Sequence, residues 1–210
     1  MSLAEKQVPS TIKDEALVSK RRNQMIKGAV TLFIEKGFHK TTTREIAKAS
    51  GFSIGTLYEY IRKKEDVLFL VCDSIYQRVK ERMEEAIDPH QTSVQSLIHA
   101  IRSYFQLMDD MQDEVLVMYQ EVKSLPRDAQ DYVLQKERDM VAMLEQVIVN
   151  SLPGEHPEEE IKLIANNIFV QGQMWGFRRW ILQRTFTIES YTDTQIQLLL
   201  KGLDKEETLQ

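Results

Sequence analysis

Residues 41–68 read TTTREIAKASGFSIGTLYEYIRKKEDVL. The stretch holds two glycines and no proline, without the paired acids of a hydrolase or the glycine density of a phosphate loop. Thr42 or Thr43 can cap a helix, because a hydroxyl accepts from the free backbone N–H groups of a first turn. Ile46, Ala47 and Ala49 then supply a short apolar face, and Gly51 stops the helix. Ser53 can cap a second short helix carrying Leu57, Tyr58 and Ile61. Helices this short are not stable alone. A longer one must cover them, and residues 17–36 provide it: Met25, Ile26, Ala29, Val30, Phe33 and Ile34 recur at helical period, with Gly37 as the stop.

Two short helices joined at Gly51-Phe52-Ser53 form a helix-turn-helix unit, whose second helix enters the major groove of duplex DNA. That geometry explains the residue choice. Short polar side chains at the helix start let the backbone approach the groove. Thr and Tyr hydroxyls and Lys ammonium groups bond phosphate oxygens. Gly55 removes a side chain where a bulky one would hold the helix off.

The surrounding composition agrees. Of 210 residues, 42% are hydrophobic, and only five prolines and eight glycines interrupt a chain rich in helix formers, so the expected class is all-α. No apolar run reaches the length of a membrane span, and the chain does not open with a secretory signal, so no membrane partner is expected. The single cysteine, Cys72, fits a reducing cytoplasm, and beside Leu70, Val71 and Ile75 it reads as a small core residue. Residues 1–65 carry 13 Lys and Arg against 7 Asp and Glu, whereas residues 66–210 carry 14 against 25. A basic front on an acidic body suits a polyanion at one end; two differently solvated surfaces are the plainer alternative.

Residues 1–16 read as a flexible arm, 17–65 as the helix-turn-helix domain, and 66–210 as a second helical domain. In the latter, a long helix runs from Lys64 to about Ile87 and breaks at Asp88-Pro89. Ser93 caps the next. A short helix over 112–122 precedes one that starts at Pro126 and runs to about Leu152. Pro157 and the acidic Glu158-Glu159-Glu160 open a helix expected to reach Gln183, and a last helix covers 192–203.

The segment from Lys40 to Ala47, then Gly51, Gly55-Thr56-Leu57-Tyr58-Glu59-Tyr60 and Lys64-Glu65-Asp66-Val67-Leu68, resembles the DNA-binding domain of the TetR/AcrR family of bacterial repressors. Ala29-Val30 through Gly37-Phe38 matches that family's first helix, so motif agreement covers residues 22–68. The resemblance implies phosphate contacts from Thr42 or Thr43, Arg44, Tyr60 and Lys64. It implies a recognition helix opened by Ser53, Ile54, Gly55, Thr56 and Leu57, with Tyr58 and Tyr60 at its aromatic positions. Leu57 and Tyr58 also suit a partly core role, and Arg62 and Lys63 suit ordinary solvated charges. Glu59 departs from the family's usual neutral or basic residue; it suits the groove rim better than a cytosine amino group.

The resemblance also implies an input domain that binds a small-molecule effector and forms a homodimer through the last two helices. Two recognition helices then read an inverted-repeat operator, commonly to repress. Ile161, Ile164, Ile168, Ile196, Leu199, Leu200 and Leu203 supply apolar faces for a four-helix bundle between protomers, or for burial within one chain. Effector-lining candidates are Tyr104, Met108, Met118, Tyr119, Met174, Trp175 and Phe177. Arg178-Arg179, read as lying inside an apolar helix, suits an anionic head group or an ion pair. A fatty acyl-coenzyme A thioester is one expected effector, and a hydrophobic drug-like or aromatic compound is its rival. Gly172 and Gly176, one turn apart, permit close packing or room for a ligand. No cofactor is expected. His39, His90, His99 and His156 show no metal spacing and no serine sits in a nucleophile elbow, so the chain reads as no enzyme. A helical protein-binding adaptor is the remaining alternative class.

Overall fold

The computed structural model describes residues 8–86 and 93–203, so the expected break at Asp88-Pro89 lies outside the described residues. The fold is all-α, with no strand among the described residues. In chain order the helices are α1 (Glu15–Lys36), α2 (Thr43–Ala49), α3 (Ile54–Tyr58), α4 (Lys64–Ala86), α5 (Val94–Asp110), α6 (Gln112–Glu121), α7 (Arg127–Ser151), α8 (Glu158–Phe177), α9 (Arg179–Leu182) and α10 (Ile188–Leu203). A 3-10 turn, Val122–Ser124, follows α6.

The helices fold into two compact units that do not follow chain order. One holds residues up to Gln77 together with Asp113–Arg138; the other holds Arg78–Gln112 together with residues from Asp139 onward. The division falls within α4 and within α7, so both helices serve two cores.

In the first unit, Met25, Ala29 and Phe33 of α1 are buried with Ile46 and Ala47 of α2 and Leu57 of α3. Phe33 and Phe38 meet edge to face at 5.4 Å. Tyr132 of α7 packs on Phe69 and donates to Asp73 Oδ1 at 2.9 Å, tying α7 to α4. Cys72 is buried here, and burial, with the charges of Glu137 and Asp73, pushes its thiol up to about 12.

The arm is held from Val8 onward. Val8 is buried and its carbonyl accepts from Arg22, while Thr11 N (2.9 Å), Thr11 Oγ1 (3.1 Å) and Ser10 Oγ (3.2 Å) all donate to the Glu59 carbonyl. Those bonds tie residues 10 and 11, expected within a flexible arm, to the C-terminal end of α3.

In the second unit, α5 is the central helix and packs on both α8 and α10. Leu97, Ile101, Tyr104, Phe105 and Met108 of α5 are buried with Ile164, Ile168 and Phe169 of α8 and Tyr191 and Ile196 of α10. The helix expected to run unbroken to Gln183 stops at Phe177. Arg178 leaves helical geometry at φ −106° and ψ 23°, α9 follows, and α10 starts a turn earlier than expected. Gln112 of α6 lies beside the break. Gly176 lies against its backbone, and Gln183 Nε2 donates to its Oε1 at 2.9 Å.

Candidate nucleic-acid interface

Thr42 is the N-cap of α2. Its hydroxyl accepts from Glu45 N at 3.3 Å, and the Glu45 carboxylate accepts from Thr42 N at 2.9 Å, completing a capping box. Lys36 of α1 binds the same carboxylate. The Lys36 and then the Thr42 hydrogen bonds hold the Glu45 carboxyl down at about 2. Ser53 caps α3, accepting from Thr56 N at 3.0 Å, while its hydroxyl meets that of Thr56 at 2.9 Å. Gly51 sits between the helices at φ +75°, a conformation that L side chains rarely adopt.

These caps leave one polar edge to solvent. Thr42, Arg44, Ser53, Ile54, Gly55 and Tyr58 are exposed, and Thr43 and Thr56 are half-buried. Tyr58 is 47% exposed, and its hydroxyl lies 3.1 Å from Thr43 Oγ1, bridging α2 and α3. Glu59, Arg62 and Lys63 are exposed just beyond α3. A surface of hydroxyls, a glycine and Arg44 at the start of a short helix can place backbone and polar groups against base edges and phosphates.

Three expected contacts sit elsewhere. Leu57 is fully buried and supports α3 from beneath. Tyr60, expected at a phosphate, is only 3% exposed, because the chain turns inward after α3. Lys64, also expected at a phosphate, turns its ammonium inward. Its Nζ donates to the carbonyls of Phe38 (2.7 Å), Thr41 (2.9 Å) and His39 (3.3 Å) and lies 4.3 Å from the Phe38 ring centre.

Lys48, exposed one turn after Arg44 on α2, and exposed Lys40 before it add basic groups beyond the expected contacts. The i, i+4 spacing of Arg44 and Lys48 is the signal that marks a shared helix face.

The effector candidates are distributed differently from expectation. Met118 and Tyr119 belong to the first unit and the other candidates to the second. Tyr104, Met108, Met118 and Trp175 are core residues. Tyr104 donates to the Phe169 carbonyl at 3.0 Å, and Trp175 Nε1 donates to Asp109 Oδ1 at 2.6 Å. Met174 and Phe177 are half-buried, and Tyr119 is 38% exposed. Arg178, exposed, is the non-helical residue at the α8–α9 break, and Arg179, half-buried, opens α9, so the pair does not lie inside one continuous helix. Gly172 and Gly176 are close-packing residues. A Cβ on Gly172 would sit 2.5 Å from Tyr104 Cε1, and one on Gly176 would sit 3.1 Å from Gln112 Cα.

The second unit has a groove of about 330 Å³ elsewhere, floored by Ile101 and Phe105 of α5 and walled by α8 and α10. None of the effector candidates lines it. Ile164, Ile168 and Ile196, assigned to a face between protomers or within the chain, are buried within this chain. Leu163 (62%), Val170 (44%) and Leu198 (60%) are the apolar residues that α8 and α10 expose. Among the described residues no helix is long and apolar enough to cross a membrane, and no cluster of metal-ligating side chains occurs.

The sequence profile of bacterial regulatory proteins of the tetR family matches residues 25–71. The chain is similar to the HTH-type transcriptional regulator HbdR of Aromatoleum sp. (strain CIB), at 29% identity over 96% of this chain and 88% of the relative. It is similar to the fatty acid metabolism regulator protein of Bacillus subtilis (strain 168), at 22% identity over 86% and 94%. It shares its fold with AibR, solved in complex with isovaleryl coenzyme A and operator DNA, at TM-score 0.68 and 18% identity over 85% of this chain and 97% of that one.

Proposed function

Because this chain belongs to the tetR family of bacterial regulatory proteins and is a DNA-binding transcriptional regulator, we propose that it represses transcription as a homodimer on an inverted-repeat operator and is released by a small-molecule effector. The observation that carries this reading is the edge of exposed Thr42, Arg44, Ser53, Ile54, Gly55 and Tyr58, with half-buried Thr43, over a buried Leu57. A twofold mate places a second such edge one helical turn away along the duplex. The mate docks on the exposed Leu163, Val170 and Leu198 of α8 and α10. In this division of labour, residues 17–65 read DNA, and 66–210 dimerise and bind the effector.

The proposed effector is an acyl-coenzyme A thioester. Its support is the relative named for fatty acid metabolism, the shared fold with a protein solved with isovaleryl coenzyme A, and the arginine pair at the α8–α9 break, whose guanidinium groups suit phosphates. Effector and DNA favour different conformations, so each weakens the other by the same factor. Selection of bound sites from a random duplex library tests the core of the reading. An enriched inverted repeat is the expected result, and a folded protein that enriches nothing contradicts it. Adding isovaleryl- or oleoyl-coenzyme A to the selected complex tests the effector; unchanged DNA affinity at saturation removes that class.

A further inference from the structure

The short turn between α1 and α2, residues 37–42, is gripped from two sides by residues distant in sequence. On one side Lys64, the first residue of α4, donates to the carbonyls of Phe38, Thr41 and His39 and lies over the Phe38 ring. An ammonium group has three N–H donors, and three carbonyls take them. On the other side Glu121, the last residue of α6, accepts from Phe38 N at 3.0 Å through Oε1. The same carboxylate lies 3.5 Å from Ser124 Oγ, and Ser124 Oγ lies 3.2 Å from His39 Nε2. Gly37 opens the turn at φ +80°, and a Cβ there would meet Glu121 Oε1 at 3.5 Å. Thr41 is buried, and its hydroxyl donates to the Gly37 carbonyl at 2.9 Å. The turn delivers the chain directly to Thr42, the cap of α2, and so to the polar edge of Thr42, Thr43 and Arg44.

We propose that Lys64 and Glu121 are positioning residues for DNA binding: together they fix the α1–α2 turn, and Lys64 acts through that turn and not by touching a phosphate. The proposal rests on the DNA-binding reading above. Chemistry separates it from a phosphate contact. A phosphate accepts a guanidinium as readily as an ammonium, whereas three convergent carbonyls suit the compact, freely rotating ammonium and not a planar fork. Glutamine keeps a carbonyl acceptor for Phe38 N; alanine does not.

The test uses the full-length protein and the duplex enriched in the selection experiment, with binding measured across a range of salt. For two protomers, losing one phosphate contact each flattens the slope of log K against log salt by about 1.8. The expected result is that Lys64→Met and Lys64→Arg each lose about tenfold in affinity, with the salt slope of Lys64→Met that of the wild type. Glu121→Ala falls likewise and Glu121→Gln retains wild-type binding. Amide exchange should quicken at residues 38–43 in Lys64→Met and Glu121→Ala and stay unchanged in α8 and α10. Should the Lys64 variants not fold, the Glu121 pair decides. Wild-type affinity in Glu121→Ala, equal loss in Glu121→Gln, full binding by Lys64→Arg, or a flattened slope in Lys64→Met each overturns the proposal. A wild type that binds no duplex removes the DNA-binding reading instead, and this proposal falls with it.

Discussion

Glu45 concentrates three interactions on one carboxylate, which accepts from Thr42 N and Thr42 Oγ1 and pairs with Lys36. Its carboxyl titrates at about 2 in the folded chain against an ordinary 4.5. A depressed carboxyl pKa contributes stability that is full above the unfolded value and is lost as pH falls through the folded one. Glu45→Gln therefore narrows its thermal-midpoint deficit relative to the wild type between pH 5 and about 2, and differential scanning of both proteins across that range checks it. A deficit that stays constant with pH contradicts the assignment. The sequence offers either Thr42 or Thr43 as the cap, and the structure selects Thr42 through its capping box with Glu45. Lys64 was not legible in the same way. Its charge reads as a phosphate partner until the carbonyls of residues 38–41 are seen to converge on it, and that convergence depends on how the start of α4 packs against a turn 23 to 26 residues earlier.

At the scale of elements, periodicity and punctuation marked every long helix, because burial of one face imposes a 3.6-residue repeat on any sequence. They placed the ends of α1 and α2 and the starts of α3 and α5 from Gly37, Gly51, Ser53 and Ser93. They did not reveal the break at Arg178, since no proline or glycine stands at that position. Gly172 is similar: the sequence leaves open why it is small, and the Tyr104 ring answers. Gly172→Ala should cost about 1–3 kcal/mol by overpacking and lower the thermal midpoint by several degrees, whereas Gly202→Ala, with open space around it, should not. Equal midpoints for the two variants contradict the packing account. The strap of residues 8–11 on α3 makes another expectation. The double variant Ser10→Ala, Thr11→Val removes two of the three donors to the Glu59 carbonyl and should weaken DNA binding by about fivefold or more, at about 0.5–1.5 kcal/mol per hydrogen bond. Binding titrations with the selected duplex check it, and an unchanged affinity shows that α3 holds its shape without the arm.

At the scale of the whole molecule, the exposed apolar residues of α8 and α10 carry the proposed dimer. Burying a leucine side chain contributes about 1.5–3 kcal/mol, and a twofold interface buries each one twice. Leu163→Glu with Leu198→Glu should thus raise the dimer dissociation constant by more than about a hundredfold and abolish binding to an inverted repeat at concentrations where the wild type binds. Sedimentation and binding titration read the two effects, and an unaltered oligomeric state places the interface elsewhere. The sequence by itself determined the helical class, the order of the helices and the helix-turn-helix, since caps, glycine turns and apolar period are local signals that survive in one dimension. Tertiary structure alone decided which residues of that motif face outward and which inward: Tyr58 out, Leu57 and Tyr60 in, Lys64 spent on carbonyls. It also decided that the second core is built around α5 and that the paired glycines of α8 admit Tyr104 and Gln112. The reason is physical. A side chain's direction follows from what packs beside it, and those neighbours come from helices far away along the chain.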